Sequence, residues 1–349
     1  MQRRARAHAA PGSVRRIFAG PRHLARTLAG LLVLALACSA CSAGGVADQA
    51  DGAHSPPAAQ TRYAPYVSAT TAAETDRAGA PDTYNLAFVT SDASSCSPLW
   101  GGATAVTSEA VAARVGELTA TGADIRVSFG GAAGTEAALV CDSAQELANA
   151  YAKALDAVGA TAADFDIEGD ALTDTASVTR RNEAVALLQE QRDLDVTYTL
   201  PVMPDGLEET GTALLRDAVD QGVEIAAVNI MAMNYSTSHD GDMGDYAERA
   251  AQAAHDQLVE VLGLSQDDAW KALHITVMIG VNDVAGETFT LKDAASLRSY
   301  ATRRGVGALS MWASFRDRQC APGVNAVKAS DTCSGVRQEA GAFAKALGG

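Results

Sequence analysis

The stretch Thr161-Ala162-Ala163-Asp164-Phe165-Asp166-Ile167-Glu168-Gly169 carries the reading of the whole chain. On a β-strand, alternate side chains share a face, so Asp164, Asp166 and Glu168 point one way while Phe165 and Ile167 point the other. Phe165 and Ile167 on the second face call for a packed layer of helices. A strand buried on both faces belongs to a parallel sheet. Successive acids sit ~6.6 Å apart at the backbone, two strand rises. Like charges that close do not all ionise. The triplet is therefore expected to retain and share a proton, with macroscopic pKa values that belong to the cluster. Glu168, last in the run and nearest the C-terminal mouth of the strand, is placed to use that proton as a general acid. A divalent metal centre is the rival reading of gathered carboxylates. No matching His or Asp stands at the other strand ends, and the expectation is that the site uses no metal and no cofactor.

Outward from this strand the chain keeps one rhythm from about Tyr63 to its end. Short apolar runs (Tyr63–Ser68, Thr83–Thr90, Asp124–Phe129, Ala163–Glu168, Asp195–Pro201, Glu224–Asn234, His274–Gly280 and Val306–Trp312) alternate with Ala-rich amphipathic stretches. The helical stretches are Ser108–Thr121, Ser143–Val158, Thr175–Glu190, Gly211–Gln221, Gly244–Leu262 and Leu291–Arg303, with starts marked by Ser, Thr or Asp and several ends by Gly. Eight strand candidates over roughly 285 residues fit an α/β fold of the closed (β/α)8 TIM-barrel type, typically ~250 residues. A doubly wound open sheet is the alternative. It usually carries a Gly-rich phosphate turn after its first strand, and this chain has none.

The ends of the 349-residue chain differ in charge. Seven arginines precede the first acidic residue, Asp48. Setting them aside leaves 20 basic against 42 acidic residues, a body of −22 that repels nucleic acid and anionic lipid. Residues 1–41 read as a signal peptide: a basic stretch, then the apolar run Leu28–Ala37, about half of the ~20 residues a membrane span needs, then small residues around Cys38 and Cys41. Arg15-Arg16-Ile17-Phe18 resembles a twin-arginine core, with the ordinary export route as the alternative. Cys38 or Cys41 is a possible lipid-anchor site, the alternative being plain cleavage. Residues 42–61 form an Ala/Gly/Ser/Pro linker and 62–349 the barrel, expected to be monomeric and extracellular or at the cell surface. Four cysteines then remain, and an even count in an exported protein favours disulfides. Cys96–Cys141 would join two early loops and Cys320–Cys333 would close a short C-terminal one; free buried thiols are the alternative.

Three other strand ends hold candidate site residues. Arg126-Val-Ser128-Phe-Gly130-Gly131-Ala-Ala-Gly134 closes in glycines, which suits either backbone approaching a ligand or a loop needing positive φ. Asn229, Met231, Met233 and Tyr235 share a parity at another strand end, where Tyr and Asn suit a pocket rim and a Met pair suits core. Trp312 ends the eighth run, and a Trp face stacks on the C–H side of a sugar ring. Trp100 and Trp270 stay unassigned. There is no H-E-x-x-H, Walker loop or G-x-S-x-G.

Taken together these motifs resemble glycoside hydrolase family 18. Asp164-Phe-Asp166-Ile-Glu168 is similar to that family's fourth-strand Asp-x-x-Asp-x-Asp-x-Glu, and Ser128-Phe-Gly130-Gly131 to its third-strand Ser-x-Gly-Gly. Met231–Tyr235 resembles its sixth-strand Met motif, and Trp312 falls where its eighth-strand Trp stands. Residues 62–334 resemble the catalytic domain of secreted actinobacterial chitinases, including Thr199-Leu-Pro-Val-Met203-Pro and Met278-Ile-Gly-Val-Asn-Asp283. Thr161 replaces the first Asp of the longer signature, and Asn234 stands where such chitinases usually place an Asp beside the sugar.

The resemblance implies hydrolysis of β-1,4-linked N-acetylglucosamine in chitin or chito-oligosaccharides, with the substrate's acetamido oxygen as nucleophile. It implies Glu168 as acid and base, Asp166 orienting the acetamido group, and Asp164 behind it sharing its proton. Tyr235 or a neighbour would hold the acetamido oxygen, and Trp312 would form the floor. Asn234, Met231, Met233, Met203 and Gly131 are the further substrate-binding candidates. A non-catalytic chito-oligosaccharide binder, or an endo-glycosidase acting on N-glycan chitobiose cores, are the alternatives on the same barrel.

Overall fold

A computed structural model describes residues 60–349, so the expected signal peptide, the lipid-anchor cysteines Cys38 and Cys41 and nearly all of the expected linker lie outside the described residues. Eight parallel strands form the core. They are β1, in two segments Arg62–Tyr63 and Tyr66–Ser68, then β2 (Thr83–Thr90), β3 (Asp124–Gly130), β4 (Ala162–Asp166), β5 (Asp195–Met203), β6 (Ile225–Met231), β7 (Leu273–Met278) and β8 (Ala308–Trp312). They pair in chain order. The first segment of β1 pairs with β8 and the second with β2, which closes the sheet into a barrel. Pro65, which has no N–H for a ladder, sits at the handover between the two partners.

The helices are α1 (Glu109–Thr119), α2 (Ala144–Val158), α3 (Asp170–Thr173), α4 (Thr175–Gln189), α5 (Glu209–Asp220), α6 (Met243–Leu262), α7 (Gln266–Ala272), α8 (Leu291–Arg304) and α9 (Ala342–Gly348). Of the expected starts Ser143 is a real cap and Ser108 makes no side-chain cap bond, while three other helices are capped one or two residues ahead of their expected starts. Ser143, Asp174, Asp242 and Thr290 each accept a backbone N–H three residues on. Left-handed Gly159 and Gly263 end α2 and α6. The three helices with no sequence expectation, α3, α7 and α9, have seven residues or fewer, too few to show a period. No helix connects β1 to β2.

Packing divides into two layers that follow the alternation on β4. Phe165 and Ile167 are fully buried on the outer side, where Phe165 stacks on Phe129 of β3 (centroids 5.3 Å, 15° between planes) and meets Tyr151 of α2 edge-on. The inner side is polar: Arg126, Ser128, Asp164, Thr199, Asn229, Thr276 and Ser310 are all buried. Barrels normally fill that space with Val, Ile and Leu. Here most of these side chains, Ser310 excepted, join a hydrogen-bonded network, so the sequence spends its core on side-chain placement.

Both expected disulfides are present. Cys96–Cys141 (Cα–Cα 4.7 Å) ties the β2–α1 connection to the segment after β3, and Cys320–Cys333 (4.9 Å) closes the loop after β8. Among the described residues, no helix is long and apolar enough to cross a membrane.

Candidate active site

A cavity of about 600 Å³ opens at the C-terminal ends of the strands. It is lined by Asp166 and Glu168 from β4 and its exit, Met203 from β5, Met231, Met233, Asn234 and Tyr235 from β6 and beyond, and Trp312 from β8. Eight of the ten candidates named from sequence thus converge on one space. Asp164 and Gly131 do not line it.

Asp164 lies one pleat below. Its Oδ2 accepts hydrogen bonds from Tyr66 Oη (2.9 Å) and Ser128 Oγ (2.5 Å), and its Oδ1 accepts one from Thr199 Oγ1 (2.6 Å). Burial pushes this carboxyl up; the Ser128, Thr199 and Tyr66 hydroxyls and the charge of Arg126 push it back. Asp166 has no such help. Its Oδ1 is buried without a hydrogen-bond partner, and burial with the charges of Glu168 and Asp164 drives its carboxyl well above the carboxylate range. Glu168, half-buried at the rim, is raised by burial alone. Hydroxyl donors and Arg126 thus offset burial at Asp164, nothing offsets it at Asp166, and the upward push is the stronger on Asp166. Asp164 already receives three hydroxyl donors, so it has little capacity left for a cation.

Gly130 and Gly131 have positive φ, and their constraint is packing. A Cβ on Gly130 would collide with the Asp166 carbonyl oxygen, and one on Gly131 would meet the Phe88 ring at 2.8 Å. Gly131 N–H donates to that same Asp166 carbonyl (2.9 Å). Gly131 thus brings β3 against β4 and seats Phe88, a ring that does line the cavity, and is corrected from a substrate contact to a structural one.

The shared parity expected for Asn229 through Tyr235 also needs correction. β6 stops at Met231, and Met233 N–H donates to Met231 O (2.9 Å) in a tight turn. Asn234 then takes φ +53°, which ends the alternation. The Asn234 carboxamide oxygen accepts N–H bonds from Asp283 (2.9 Å) and Val284 (3.3 Å), and its Nδ2 donates to Asp283 Oδ2 (3.3 Å). Asn234 clamps the β6 exit to the β7 exit. Tyr235 turns its ring onto His239 and Tyr246. Its hydroxyl is buried without a partner, and the charges bearing on it are Glu287 and Arg249, not the acidic triplet.

Trp312 stacks on Phe88 (5.5 Å, 20°) and stands edge-on to Tyr66 (5.9 Å) and Phe315 (5.6 Å). Tyr66, Phe88, Thr276, Glu208, Asp283 and Asp331 also line the cavity and were not singled out from sequence. The three acids arrive on connections after β5, β7 and β8, where no periodic pattern marks them.

No family model matches the chain. It is 36% identical over 275 residues to "Probable bifunctional chitinase/lysozyme" of Escherichia coli (strain K12), covering 73% of this chain and 31% of that protein. It is 34% identical over 276 residues to "Endochitinase 11" of Metarhizium anisopliae, covering 73% of this chain and 52% of that protein. The chain thus spans about a third and about half of these curated relatives. The catalytic domain of a hyperthermophilic chitinase from Pyrococcus furiosus superposes with TM-score 0.72 at 27% identity, over 84% of this chain and 95% of that one. The mutated domain of that chitinase has also been solved with chito-oligosaccharides. The barrel is thus similar in sequence to two proteins named as chitinases, and in sequence and fold to a solved chitinase catalytic domain.

Proposed function

We propose that this barrel is a chitinase-type hydrolase that cleaves β-1,4-linked N-acetylglucosamine chains, with the substrate's own acetamido group as nucleophile. The observation that carries the reading is the pairing of two acids at one cavity: Glu168, raised by burial, at the rim, and Asp166, with an unpartnered buried oxygen, beneath it. The lining also holds five carboxylates and no Lys, Arg or His, which suits a neutral or cationic saccharide over an anionic one. The similarity to two proteins named as chitinases, and to a solved chitinase domain, supports the same substrate class.

In this mechanism the acetamido carbonyl oxygen attacks the anomeric carbon while the bond to the leaving sugar breaks. Glu168 gives its proton to the departing oxygen. Asp166 accepts the acetamido N–H; once Glu168 has become an anion, Asp166 shares its proton with it, and the negative pair offsets the positive charge of the oxazolinium that forms. Water then attacks the anomeric carbon, its proton passes to Glu168, and the ring C–O bond returns its electrons to the acetamide. Two inversions leave the β-anomer. Trp312, backed by Phe88, provides the ring face under the sugar. Tyr235, turned toward Glu287, serves the wall and not the reacting atoms. The protein would act outside the cell or at its surface as a monomer, a setting that suits two disulfides.

Glu168→Gln tests this. Hydrolysis of chito-oligosaccharides should fall by about 10²–10⁴-fold or more while binding persists. The wild-type protein should release the β-anomer first. Near-normal turnover by the variant, or α-anomer as first product, overturns the mechanism.

A further inference from the structure

Inside the barrel a chain of hydrogen bonds runs across three strands and ends on Asp164. Thr276 Oγ1 on β7 donates to Asn229 Oδ1 on β6 (2.9 Å), Asn229 Nδ2 donates to Thr199 Oγ1 on β5 (2.9 Å), and Thr199 Oγ1 donates to Asp164 Oδ1 (2.6 Å). The directions follow from donor chemistry. An ionised carboxylate only accepts, so the one hydroxyl proton of Thr199 goes to Asp164. The Thr199 oxygen can then only accept, which fixes the Asn229 amide N–H toward it and the amide oxygen toward Thr276. Thr276 must donate in turn. A side branch has the same sense: Asn229 Nδ2 reaches Tyr66 Oη at 3.3 Å, and Tyr66 donates to Asp164 Oδ2.

Putting a proton on Asp164 Oδ1 would make it the donor to Thr199. The Thr199 proton would then face the Asn229 amide hydrogens, and it would have to turn to Tyr66 Oη (3.1 Å), which Asn229 Nδ2 also approaches, unless Asn229 flipped and Thr276 reversed. One protonation would thus reverse the Thr199–Asp164 link and crowd the donors that Asn229 directs at Thr199 and Tyr66. Asp166 carries no comparable set of donors, and its Oδ1 has no partner at all. We propose that Asn229 and Thr276 are positioning residues that lock Thr199 as a donor, hold Asp164 as the anion and so confine the mobile proton of the cluster to Asp166. This rests on the acid–base reading of the triplet. Neither residue needs to touch the bond being cleaved.

The other groups facing Asp164 are Tyr66 from β1, Arg126 and Ser128 from β3, and Asp166 from its own strand; all stay in place in the test. The readout is the acid limb of the kcat/KM profile on a chromogenic chitobioside, which reports the second proton entering the Asp164–Asp166 pair. Thr276→Val keeps the shape and removes the donor. Its acid limb should move up by roughly 0.4–1 pH unit, the range expected for one hydrogen bond. Thr276→Ser should return the limb to the wild-type position. Thr276→Ala repeats the test if the valine variant does not fold. A uniform loss of rate at every pH with an unmoved limb overturns the proposal, and so does a serine variant that fails to restore the profile. Glu168→Gln run in parallel separates the two failures: its inactivity with an unmoved Thr276→Val limb sinks only this inference, whereas its turnover sinks the reading beneath it.

Discussion

Glu136 and Asp166 are equally buried, each 5% exposed, and stand at the exits of neighbouring strands β3 and β4, yet their surroundings are opposite. Glu136 Oε2 accepts from Arg181 Nη2 (2.7 Å) and from the Ala138 N–H (2.9 Å), and Oε1 accepts from Tyr151 Oη (2.9 Å). Asp166 Oδ1 has no partner, and the charges around it are like charges. The first carboxylate ties the fold together. Arg181 also donates to the Ala171 carbonyl (3.3 Å), so the pair fixes the chain three residues beyond Glu168. The second has been left without its counter-charge, which costs stability and keeps a proton available. The contrast between a completed network and an unfinished one separates scaffold from site in this barrel.

Breaking the completed side should have the larger effect on folding. Glu136→Gln keeps the shape but strands Arg181, fully buried, as an uncompensated cation. Losing one partner of a buried pair typically costs about 3–5 kcal/mol. Urea unfolding should show a loss in that range. A change below about 1 kcal/mol would mean that the pair is not what anchors the β3 and β4 exits.

How much of this was legible in the sequence follows from how far each signal reaches. The β4 triplet was legible because period-two alternation is local: Phe165 and Ile167 do pack outward, and Asp164 and Asp166 do face in. The strand rhythm fixed the barrel for the same reason, and eight runs became eight strands. Tyr66 was not legible as a partner of Asp164, because it lies 98 residues away and meets it only through barrel closure. Gly131 was legible as special, but its role depends on Phe88 from another strand. Extending the β6 alternation to Tyr235 failed where Asn234 adopts φ +53°, a turn that no apolar pattern announces. Thr199 and Thr276 each read as an ordinary polar residue in a strand, and Asn229 only as a member of the β6 parity; their joint meaning appears only when three strands are set side by side.

The disulfides sharpen the comparison, because Cys141 closes the same connection that carries Glu136, whereas Cys320–Cys333 braces the loop that brings Asp331 to the cavity. On chain entropy alone, a separation of 45 residues should contribute about 4 kcal/mol and one of 13 about 3 kcal/mol. Paired Cys→Ser replacement at each bridge, followed by urea unfolding, should therefore cost more for Cys96–Cys141. Non-reducing peptide mapping that recovers four free thiols would remove the premise.

The smallest effect tests the unfinished side. Asp166 is an acid whose folded-state pKa lies above its unfolded value. As pH rises past ~4 the unfolded chain loses that proton first, while the native state still holds it. The native state then binds more protons, so stability falls as pH rises between the two pKa values. Asp166→Asn removes this liability along with the repulsion from Glu168 and Asp164. At neutral pH the variant should be more stable than the wild-type protein by roughly 0.5–2 kcal/mol, the usual yield of relieving a functional strain. That corresponds to about 2–4 °C in Tm for each kcal/mol in a domain of somewhat smaller size. The gap should close as pH falls toward ~4, where both states carry the proton. Activity should move the other way, since Asn cannot share a proton with the Glu168 anion beside the oxazolinium. A variant less stable at pH 7 than the wild-type protein, or a stability gap that ignores pH, would show that Asp166 is held by the fold much as Glu136 is, and the contrast between the two strand exits would collapse.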